Sequence, residues 1–418
     1  MKKSLQIILA ICVIMVTPLS TWAEVNNEAV YEVTTNDIPG WPIGPEILAD
    51  TGVLMETETG EVLYDKGMNE ERYPASITKV MTALLAVENS SPNDKVEFTL
   101  SALKGMHEGT NIGMIEGEVL TMEQCLKALI IRSANEVANQ IAEHVGGTQE
   151  EFIDMMNKRA IEIGCKNTNF NNASGMPDEE HYTTAYDMAL IFREALKNED
   201  FRSLFDTVDF TIEPTNKNPE ERYLHSNHHL FVSTVPQHYP GVVAGKTGNT
   251  GVAGSTLVTA VERDGIDFIA VVMRTGDHLY CCEDTRKLFD YGYNEFEKIN
   301  AEEGALLAPR GSAEMDFEIS EKEVAGNKVE KEYSYQGYFL GTMEVDRPAV
   351  TEGIMPVEGV PREEVQGEEE IVTKPPVVQG NTQSNATARI AIIALAVLVL
   401  AGLGLIIMMV MKNKKKNQ

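Results

Sequence analysis

The chain has few basic side chains for its length. It carries 35 lysines and arginines against 64 aspartates and glutamates, so its formal net charge at pH 7 is −29. A strongly acidic surface repels the phosphates of nucleic acids and the anionic headgroups of lipids. We therefore expect no nucleic-acid partner, and any residence at a membrane must depend on hydrophobic contacts.

Cysteine is scarce as well. The chain has five cysteines, and none of them forms a Cys-x-x-Cys pair. Cys12 falls in an N-terminal apolar run, which leaves four for the rest of the chain. Four cysteines do not build a disulfide framework in a domain of this size. We expect buried free thiols at Cys125, Cys165, Cys281 and Cys282.

The eight histidines include one cluster, formed by His225, His228 and His229. A metal site needs further ligands, and no carboxylate or cysteine stands at ligand spacing beside these three. A structural or loop role is favoured for the cluster. We predict no metal site and no organic cofactor.

Long apolar runs are confined to the two ends of the chain. The run over 7–16 follows Lys2 and Lys3 and precedes Ala23, a pattern typical of a secretory signal peptide over residues 1–23. The run from Ile390 to Met411 carries no charge. As a helix it would be about 33 Å long, enough to cross a bilayer.

We therefore predict a transmembrane helix at 387–411 and a cytoplasmic basic tail at 412–418, which contains four lysines. This orientation predicts that the chain between the two apolar runs lies on the outer face of the cytoplasmic membrane. Residues 347–386 hold five prolines and seven glutamates. Such a composition cannot bury enough apolar surface to fold, so a disordered linker is expected there.

Apolar periodicity predicts the elements of the folded part. Two hairpins are indicated, one joining residues 53–56 to 61–64 and one joining 255–261 to 266–273 around Asp264-Gly265. Apolar residues at helical spacing predict helices over 77–87, 123–131, 136–145, 152–163, 185–196 and 285–299. Thr184 and Asp187 are spaced as a capping box for one of them.

Strands at both ends with helices between them predict an α+β domain, in which an antiparallel sheet is flanked by helices and accompanied by an all-helical subdomain. We place this domain at 45–300, after an N-terminal extension at 24–44. Residues 301–346 are rich in strand-forming side chains and predict a small β-rich domain.

Three short motifs stand in order within 45–300: Ser76-Ile77-Thr78-Lys79, Ser133-Ala134-Asn135 and Lys246-Thr247-Gly248. Each is common by itself. The ordered set is specific, because a helix follows the first motif, two helices flank the second and a strand surrounds the third. The motifs supply a serine, a second hydroxyl, two amines and an amide. These groups are typical of a serine acyl-transferase that works without a histidine base.

The first motif predicts an activated nucleophile. Residues three apart on a helix share a face, so Lys79 should point at Ser76. Lys79 can take the serine proton only when it is neutral, which requires a pKa below its ordinary value. Burial, the nearby Lys246 cation and the positive end of the helix would each lower that pKa.

The chain resembles the penicillin-binding D-alanyl-D-alanine carboxypeptidases, the low-molecular-mass serine peptidases of peptidoglycan. The resemblance runs from about Pro45 to Asn300 and includes Tyr73 to Lys79, Ser133 to Glu136, His181 to Ala185 and Gly245 to Gly248. It implies the fold of serine β-lactamases and penicillin-binding proteins, with the active site between the sheet and the helical subdomain.

The resemblance also implies a role for each motif residue. Ser76 would be the nucleophile, Lys79 its base and Ser133 a proton relay to the leaving amine. Asn135 would bind the substrate backbone, and Lys246 and Thr247 its terminal carboxylate. Gly248 would clear space for the peptide. The backbone N–H groups of Ser76 and Asn249 would form the oxyanion hole.

These roles predict a carboxypeptidase that removes the terminal D-Ala from stem peptides ending in D-Ala-D-Ala and that β-lactam antibiotics acylate at Ser76. A DD-transpeptidase or endopeptidase on the same fold is an alternative, as is a catalytically dead peptidoglycan-binding protein. A class A β-lactamase is disfavoured, because no convincing Glu-x-x-Leu-Asn segment lies between Asn135 and Lys246.

Overall fold

The computed structural model describes residues 30–105, 109–301, 304–324 and 328–346. The predicted signal peptide at 1–23, linker at 347–386, transmembrane helix at 387–411 and basic tail at 412–418 lie outside the described residues. Within the described ranges, none of the helices combines the length and the apolar character needed to cross a bilayer.

The strands are β1 (Thr51–Glu56), β2 (Val62–Lys66), β3 (Lys95–Glu97), β4 (Val119–Thr121), β5 (Asp209–Ile212), β6 (Arg222–His225), β7 (Val242–Thr250), β8 (Gly254–Arg263), β9 (Ile266–Thr275), β10 (Phe296–Ala301), β11 (Gly304–Pro309), β12 (Phe317–Glu323), β13 (Lys328–Tyr335) and β14 (Tyr338–Asp346). The α-helices are α1 (Lys79–Asn89), α2 (Leu100–Leu103), α3 (Met122–Lys127), α4 (Asn135–Gly146), α5 (Gln149–Ile163), α6 (Ala185–Leu196), α7 (Glu199–Ser203) and α8 (His278–Glu295). Short 3-10 turns occupy Thr34–Asp37, Ala75–Thr78 and Glu314–Asp316, and a π-helical turn occupies Ala128–Arg132.

The central sheet has the strand order β2-β1-β9-β8-β7, and every neighbouring pair is antiparallel. Both predicted hairpins are confirmed, as β1–β2 and β8–β9. The predicted antiparallel sheet flanked by helices is therefore also confirmed. Strand β7, which carries Lys246, lies at one edge of this sheet. An edge strand has backbone groups free to pair with an extended peptide.

Both faces of the sheet are covered, so its central strands are buried throughout. Successive side chains of a strand point to opposite faces. Along β9, Ile269 and Val271 join a first core with the helices from α1 to α7, whereas Ala270 and Val272 join a second core with α8.

Local capping explains where two helices begin. Thr184 accepts a hydrogen bond from the backbone N–H of Asp187 at 3.0 Å, as the predicted capping box requires. The Asp187 carboxylate instead accepts from the backbone N–H groups of Lys166 and Asn167. The last helix, predicted at 285–299, starts earlier because Asp277 caps α8 by accepting from Leu279 N, and Phe296 begins a strand.

The C-terminal strands pack on the second core. β10 pairs with β11, and β12, β13 and β14 form a three-stranded sheet. Buried Leu306, Tyr333 and Leu340 belong to the second core, and Tyr338 Oη donates to Val62 O at 2.9 Å. The segment predicted as a small domain at 301–346 thus shares a core with the sheet, and the predicted boundary after residue 300 falls inside β10.

The four cysteines within the described residues are free thiols, as predicted. Cys125, Cys281 and Cys282 are buried, and Cys165 is partly buried. Burial raises the pKa of the Cys282 thiol to about 11, which keeps it protonated and unreactive at neutral pH.

Candidate active site

Ser76 lies in the tight turn that leads into α1. The preceding residue, Ala75, has a left-handed backbone with φ of 51°, which is uncommon for a residue with a side chain. Neighbours hold this turn from two sides: Thr256 Oγ1 donates to Pro74 O at 2.8 Å, and Thr78 Oγ1 donates to Ala75 O at 2.9 Å. The strained turn therefore places Ser76 Oγ at a fixed position in the cleft.

Lys79 follows one turn later and is fully buried. Its Nζ lies 2.8 Å from Ser76 Oγ. The same Nζ donates to Asn135 Oδ1 at 2.8 Å and to Ser174 O at 2.5 Å. A neutral amine has two N–H bonds and one lone pair. Because Asn135 and Ser174 use the N–H bonds, the lone pair is left for the hydroxyl proton of Ser76.

The surroundings of Lys79 favour this neutral form. Burial holds its pKa well below the ordinary lysine value, and the nearby Lys246 cation lowers it further. Glu136 acts in the opposite direction, since its carboxylate stabilises an ammonium. Two of the three effects expected from the sequence, burial and Lys246, thus act on Lys79. The acidic neighbour was not anticipated.

Ser133 reaches the site through an unusual backbone. It ends the π-helical turn Ala128–Arg132 and has a φ of 61°. A π turn shifts the register of a helix, and a left-handed residue then reverses the chain, a combination often found at functional sites. The result is that Ser133 Oγ accepts from Lys246 Nζ at 3.0 Å, across 113 residues of sequence.

Lys246 comes from the edge strand β7 and is buried. Besides Ser133, it donates to Thr247 O at 2.8 Å. Burial lowers the pKa of Lys246 to about 7, so near neutral pH it can both give and take a proton. Ser133 and Lys246 thus form a second hydroxyl–amine pair beside the pair of Ser76 and Lys79.

Gly248 is required by the close approach of β7 to the turn that carries Ser76. A Cβ atom at this position would lie 2.9 Å from Ser76 N and 2.3 Å from Thr256 Oγ1. Any side chain there would displace the turn that carries Ser76. The side chain of the next residue, Asn249, is held by Ser255 Oγ at 2.7 Å. The predicted oxyanion donors, Ser76 N and Asn249 N, stand on the two segments that Gly248 brings together.

A single cleft contains most of the predicted residues, with a volume of about 360 Å³. Five of them line the cleft: Ser76, Ser133, Thr247, Gly248 and Asn249. The other three lie buried behind this wall: Lys79, Asn135 and Lys246. The sequence did not predict the other lining residues, which are Thr110, Asn227, His229, Ser255, Gly276, Asp277 and His278. No local motif marks them, because they come from separate loops and element ends that meet only in the folded chain.

The predicted histidine cluster is divided among three environments. His225 Nδ1 lies 2.6 Å from Asp209 Oδ1 on an exposed hairpin, and His228 Nε2 lies 3.1 Å from Thr259 Oγ1 in the interior. His229 lines the cleft. Within the residues that the structure describes, no group of three or more histidine, cysteine, aspartate or glutamate side chains could hold a metal ion.

Sequence comparison supports the resemblance seen in the motifs. The family model described as D-alanyl-D-alanine carboxypeptidase, peptidase S11, matches residues 38–276. The chain is 35% identical over 254 residues to the D-alanyl-D-alanine carboxypeptidase DacF of Bacillus subtilis, covering 60% of this chain and 63% of DacF. It thus spans less than two thirds of the length of that relative. It is 30% identical to DacB2 of Mycobacterium tuberculosis over 60% of this chain and 84% of DacB2.

Solved structures show the same fold. The Streptomyces K15 DD-transpeptidase superposes with a TM-score of 0.56 at 27% identity, covering 60% of this chain and 99% of that one. A D-alanyl-D-alanine carboxypeptidase from Mycobacterium tuberculosis H37Rv gives a TM-score of 0.56 at 27% identity, over 64% and 97% of the two chains. Since the family model spans more than half of the sequence and includes all three motifs, the chain belongs to the peptidase S11 family of D-alanyl-D-alanine carboxypeptidases.

Proposed function

We propose that this protein is a serine carboxypeptidase that removes the terminal D-Ala from peptidoglycan stem pentapeptides and that is acylated by penicillins. The observation that carries the proposal is the position of Lys79. Its buried Nζ lies 2.8 Å from Ser76 Oγ, while its other polar contacts, to Asn135 Oδ1 and Ser174 O, are to hydrogen-bond acceptors.

In the first step, Ser76 Oγ attacks the carbonyl carbon of the penultimate D-Ala and its proton passes to Lys79. The N–H groups of Ser76 and Asn249 stabilise the oxyanion, and loss of one such donor typically costs about 10²–10³ in rate. The C–N bond to the last residue then breaks. Protonated Lys246 gives a proton through Ser133 to the departing amine, which leaves as D-Ala, and Lys246 is then neutral.

In the second step, a water molecule attacks the ester on Ser76. The hydroxyl of this water becomes part of the new carboxyl group, and the remaining proton of the water passes through Ser133 to neutral Lys246. The proton held by Lys79 returns to Ser76 Oγ. Each proton therefore has a carrier at hydrogen-bond distance, either in the pair Ser76–Lys79 or in the pair Ser133–Lys246. Every group that these steps require is a side chain or backbone group of this chain.

Substrate recognition uses the remaining motif residues. We assign the backbone of the stem peptide to the edge of β7 and to the Asn135 amide, and the terminal carboxylate to Thr247 and Lys246. A penicillin carries a carboxylate and a reactive amide in a similar arrangement, so the same contacts direct its ring carbonyl to Ser76. Class A β-lactamases use a glutamate to activate the water that hydrolyses the acyl-enzyme. Because the sequence has no convincing segment with such a glutamate, the penicilloyl-enzyme formed here is hydrolysed slowly.

The location of the enzyme is part of the proposal. The apolar runs at 7–16 and 390–411 and the lysine-rich end support export followed by anchoring through a C-terminal transmembrane helix. The Pro- and Glu-rich stretch at 347–386 would hold the enzyme above the outer face of the cytoplasmic membrane. Protease accessibility of the folded part in intact protoplasts, with protection of the lysine tail, tests this orientation.

The direct test of the function is release of D-Ala. Purified full-length protein is incubated with a pentapeptide ending in D-Ala-D-Ala, and free D-Ala is measured beside labelling by a fluorescent penicillin. We expect both signals from the native protein and neither from Ser76→Ala. Labelling without D-Ala release would contradict the carboxypeptidase proposal, and absence of both would indicate a catalytically dead binding protein.

Transpeptidation is the second candidate, and one specific observation favours it. The Streptomyces K15 protein whose structure shares this fold is named a DD-transpeptidase, although a relative from that strain is named a D-alanyl-D-alanine carboxypeptidase. A transpeptidase transfers the acyl group to an amine in place of water. Adding a D-amino acid acceptor to the assay distinguishes the two reactions, because only transfer yields an exchanged peptide of unchanged length.

A further inference from the structure

Two histidines on the cleft wall take no part in the steps above. His229 follows β6 in a loop, and His278 is the first residue of α8. Both line the cleft that contains Ser76. Their rings meet edge to face, with centroids 4.3 Å apart and an interplanar angle of 77°. The fold therefore brings together two imidazoles that are 49 positions apart in the sequence.

These two rings differ from the structural histidines in their hydrogen bonding. His225 contacts Asp209, His228 contacts Thr259 and His181 contacts Thr78. His229 Nδ1 and His278 Nε2 are shielded from solvent and have no hydrogen-bond partner within the described part of the chain, as is also true of His228 Nδ1, but His228 has its second nitrogen bonded to Thr259. Neither ring is thus held in place by a polar contact of that part of the protein.

The charge of the cleft suggests what they bind. The described residues that line it include no lysine and no arginine. Lys246 lies behind the wall, occupied by Ser133 and Thr247, and its pKa of about 7 leaves it only partly charged at neutral pH. A peptide that ends in a carboxylate therefore meets no permanent positive charge on this wall. Burial of an unpaired carboxylate is unfavourable.

We propose that His229 and His278 complete the carboxylate subsite of the cleft and bind the terminal carboxylate of the peptide as imidazolium. This inference rests on the proposed function. Thr247, to which that carboxylate is assigned, contacts the same loop, since its Oγ1 lies 3.1 Å from Asn227 Oδ1. Asn227 precedes His229 by two residues, so Thr247 and the histidine pair belong to one side of the cleft.

Such a subsite makes binding dependent on pH. Burial and the neighbouring His229 lower the pKa of His278, whereas Asp277, the capping residue of α8, acts in the opposite direction. The free His278 ring is therefore largely uncharged at neutral pH. A bound carboxylate favours the charged ring, so binding takes up a proton, and affinity increases as the pH falls toward 6.

Calorimetry on Ser76→Ala, which binds the peptide without turnover, tests the subsite. A peptide ending in D-Ala-D-Ala is compared with its C-terminal carboxamide in buffers of different ionisation enthalpy. We expect proton uptake with the acid only, and an acid affinity about three- to tenfold higher at pH 6 than at pH 8. Lys246 could also take up a proton. The decisive protein therefore carries His229→Gln and His278→Gln in addition to Ser76→Ala. It keeps Lys246 but lacks both rings, and the proton uptake must be abolished.

Kinetics give a second readout. In the background with Ser76 present, the double variant should raise KM for the acid peptide about five- to twentyfold and remove its dependence on pH, with kcat changed less than about twofold. His225→Gln, on the exposed hairpin, is the matched control. Thermal unfolding shows whether the double variant is folded. If it is not, the subsite is tested by the single variant His278→Gln and by the comparison of acid and amide peptides on Ser76→Ala.

Three results would overturn the subsite: equal binding of acid and amide, proton uptake that survives removal of both rings, or an unchanged KM in the double variant. Any of these with normal D-Ala release leaves the carboxypeptidase intact. Failure of the wild-type protein to release D-Ala contradicts the proposed function itself, so the two failures are distinguishable.

Discussion

Lys79 shows how a single residue depends on its surroundings for reactivity. A lysine in water is almost fully protonated at neutral pH and cannot accept the proton of a serine. Here burial and Lys246 lower the pKa of Lys79, and two acceptors occupy its N–H bonds. Glu136 has the opposite effect on that pKa. Under the proposed mechanism, the balance between these neighbours sets the pH range in which Ser76 can be acylated.

Glu136→Gln tests this balance. The amide keeps an oxygen that can accept from Ile112 N, as Glu136 Oε1 does at 2.7 Å, but it removes the charge that raises the pKa of Lys79. More of Lys79 is then neutral at a given acidic pH. We expect the acid limb of the penicillin acylation rate to move to lower pH, with the rate at pH 6 relative to the plateau increased roughly two- to fivefold.

Glu143→Gln, two turns further along α4, is the control for this prediction. Its carboxylate contacts Thr99 and Gln149 at the surface and should leave the pH profile unchanged. A shift of the acid limb to higher pH in Glu136→Gln would contradict our assignment of Lys79 as the base.

At the scale of elements, catalysis depends on the contact between the edge strand β7 and the turn that carries Ser76. The strand supplies Lys246, Thr247 and the predicted donor Asn249, while the turn supplies Ser76, the proposed nucleophile. Gly248 allows the two to approach, because a Cβ atom there would lie 2.9 Å from Ser76 N. The geometry of the predicted oxyanion site therefore depends on the distance between the strand and the turn.

Gly248→Ala should separate these elements. The added methyl group meets Thr256 Oγ1 and the backbone N of Ser76, which cannot rotate away, so Ser76 must shift by a few tenths of an ångström or more. A misplacement of this kind can lower the acylation rate by about 10²-fold. We expect this loss in stopped-flow penicillin acylation, with a far-ultraviolet circular dichroism spectrum like that of the native protein.

The same strand end offers a matched control at Gly251, where an added Cβ has no neighbour within 4 Å. Gly251→Ala should acylate within about twofold of the native rate, because it disturbs no packing. Equal rates in the two alanine variants would show that the approach of β7 to Ser76 does not limit the reaction.

At the scale of the described part of the molecule, one sheet separates two cores. The first core lies with the helices that carry Lys79 and Asn135, and the second joins α8 to the C-terminal strands. Because β8 and β9 contribute side chains to both cores, loss of packing on one face weakens the strands that support the other. The C-terminal strands should therefore stabilise the catalytic cleft although they contribute no residue to it.

Leu340→Ala in β14 tests this coupling. Leu340 is fully buried in the second core, and truncation of such a side chain typically costs about 2–5 kcal/mol in the free energy of unfolding. Urea unfolding followed by Trp41 fluorescence, which reports the second core, and by residual penicillin labelling, which reports the cleft, should show the same reduced midpoint for both probes.

Phe339 provides the neighbouring control, because its side chain points to the other face of β14 and is 40% exposed. Phe339→Ala should change the free energy of unfolding by less than about 1 kcal/mol. Separate transitions for the two probes in Leu340→Ala would show that the C-terminal strands unfold independently of the catalytic part.

Local patterns predicted much of this architecture. The hairpins β1–β2 and β8–β9 and the helix Ala185–Leu196 agree with the elements read from apolar periodicity. This success has a physical basis, since backbone dihedrals, side-chain alternation and helix caps act over a few residues. The spacing of Ser76 and Lys79 is equally local, because one helical turn brings the two side chains together.

Contacts between distant segments could be known only from the folded chain. Ser174 O accepts from Lys79 across 95 residues, and Ser133 meets Lys246 only because a π turn and a left-handed backbone redirect it. His229 and His278 are unremarkable in the sequence, yet they form one wall of the cleft. Such contacts depend on how whole elements pack, and packing is the summed result of many weak interactions that no short pattern contains.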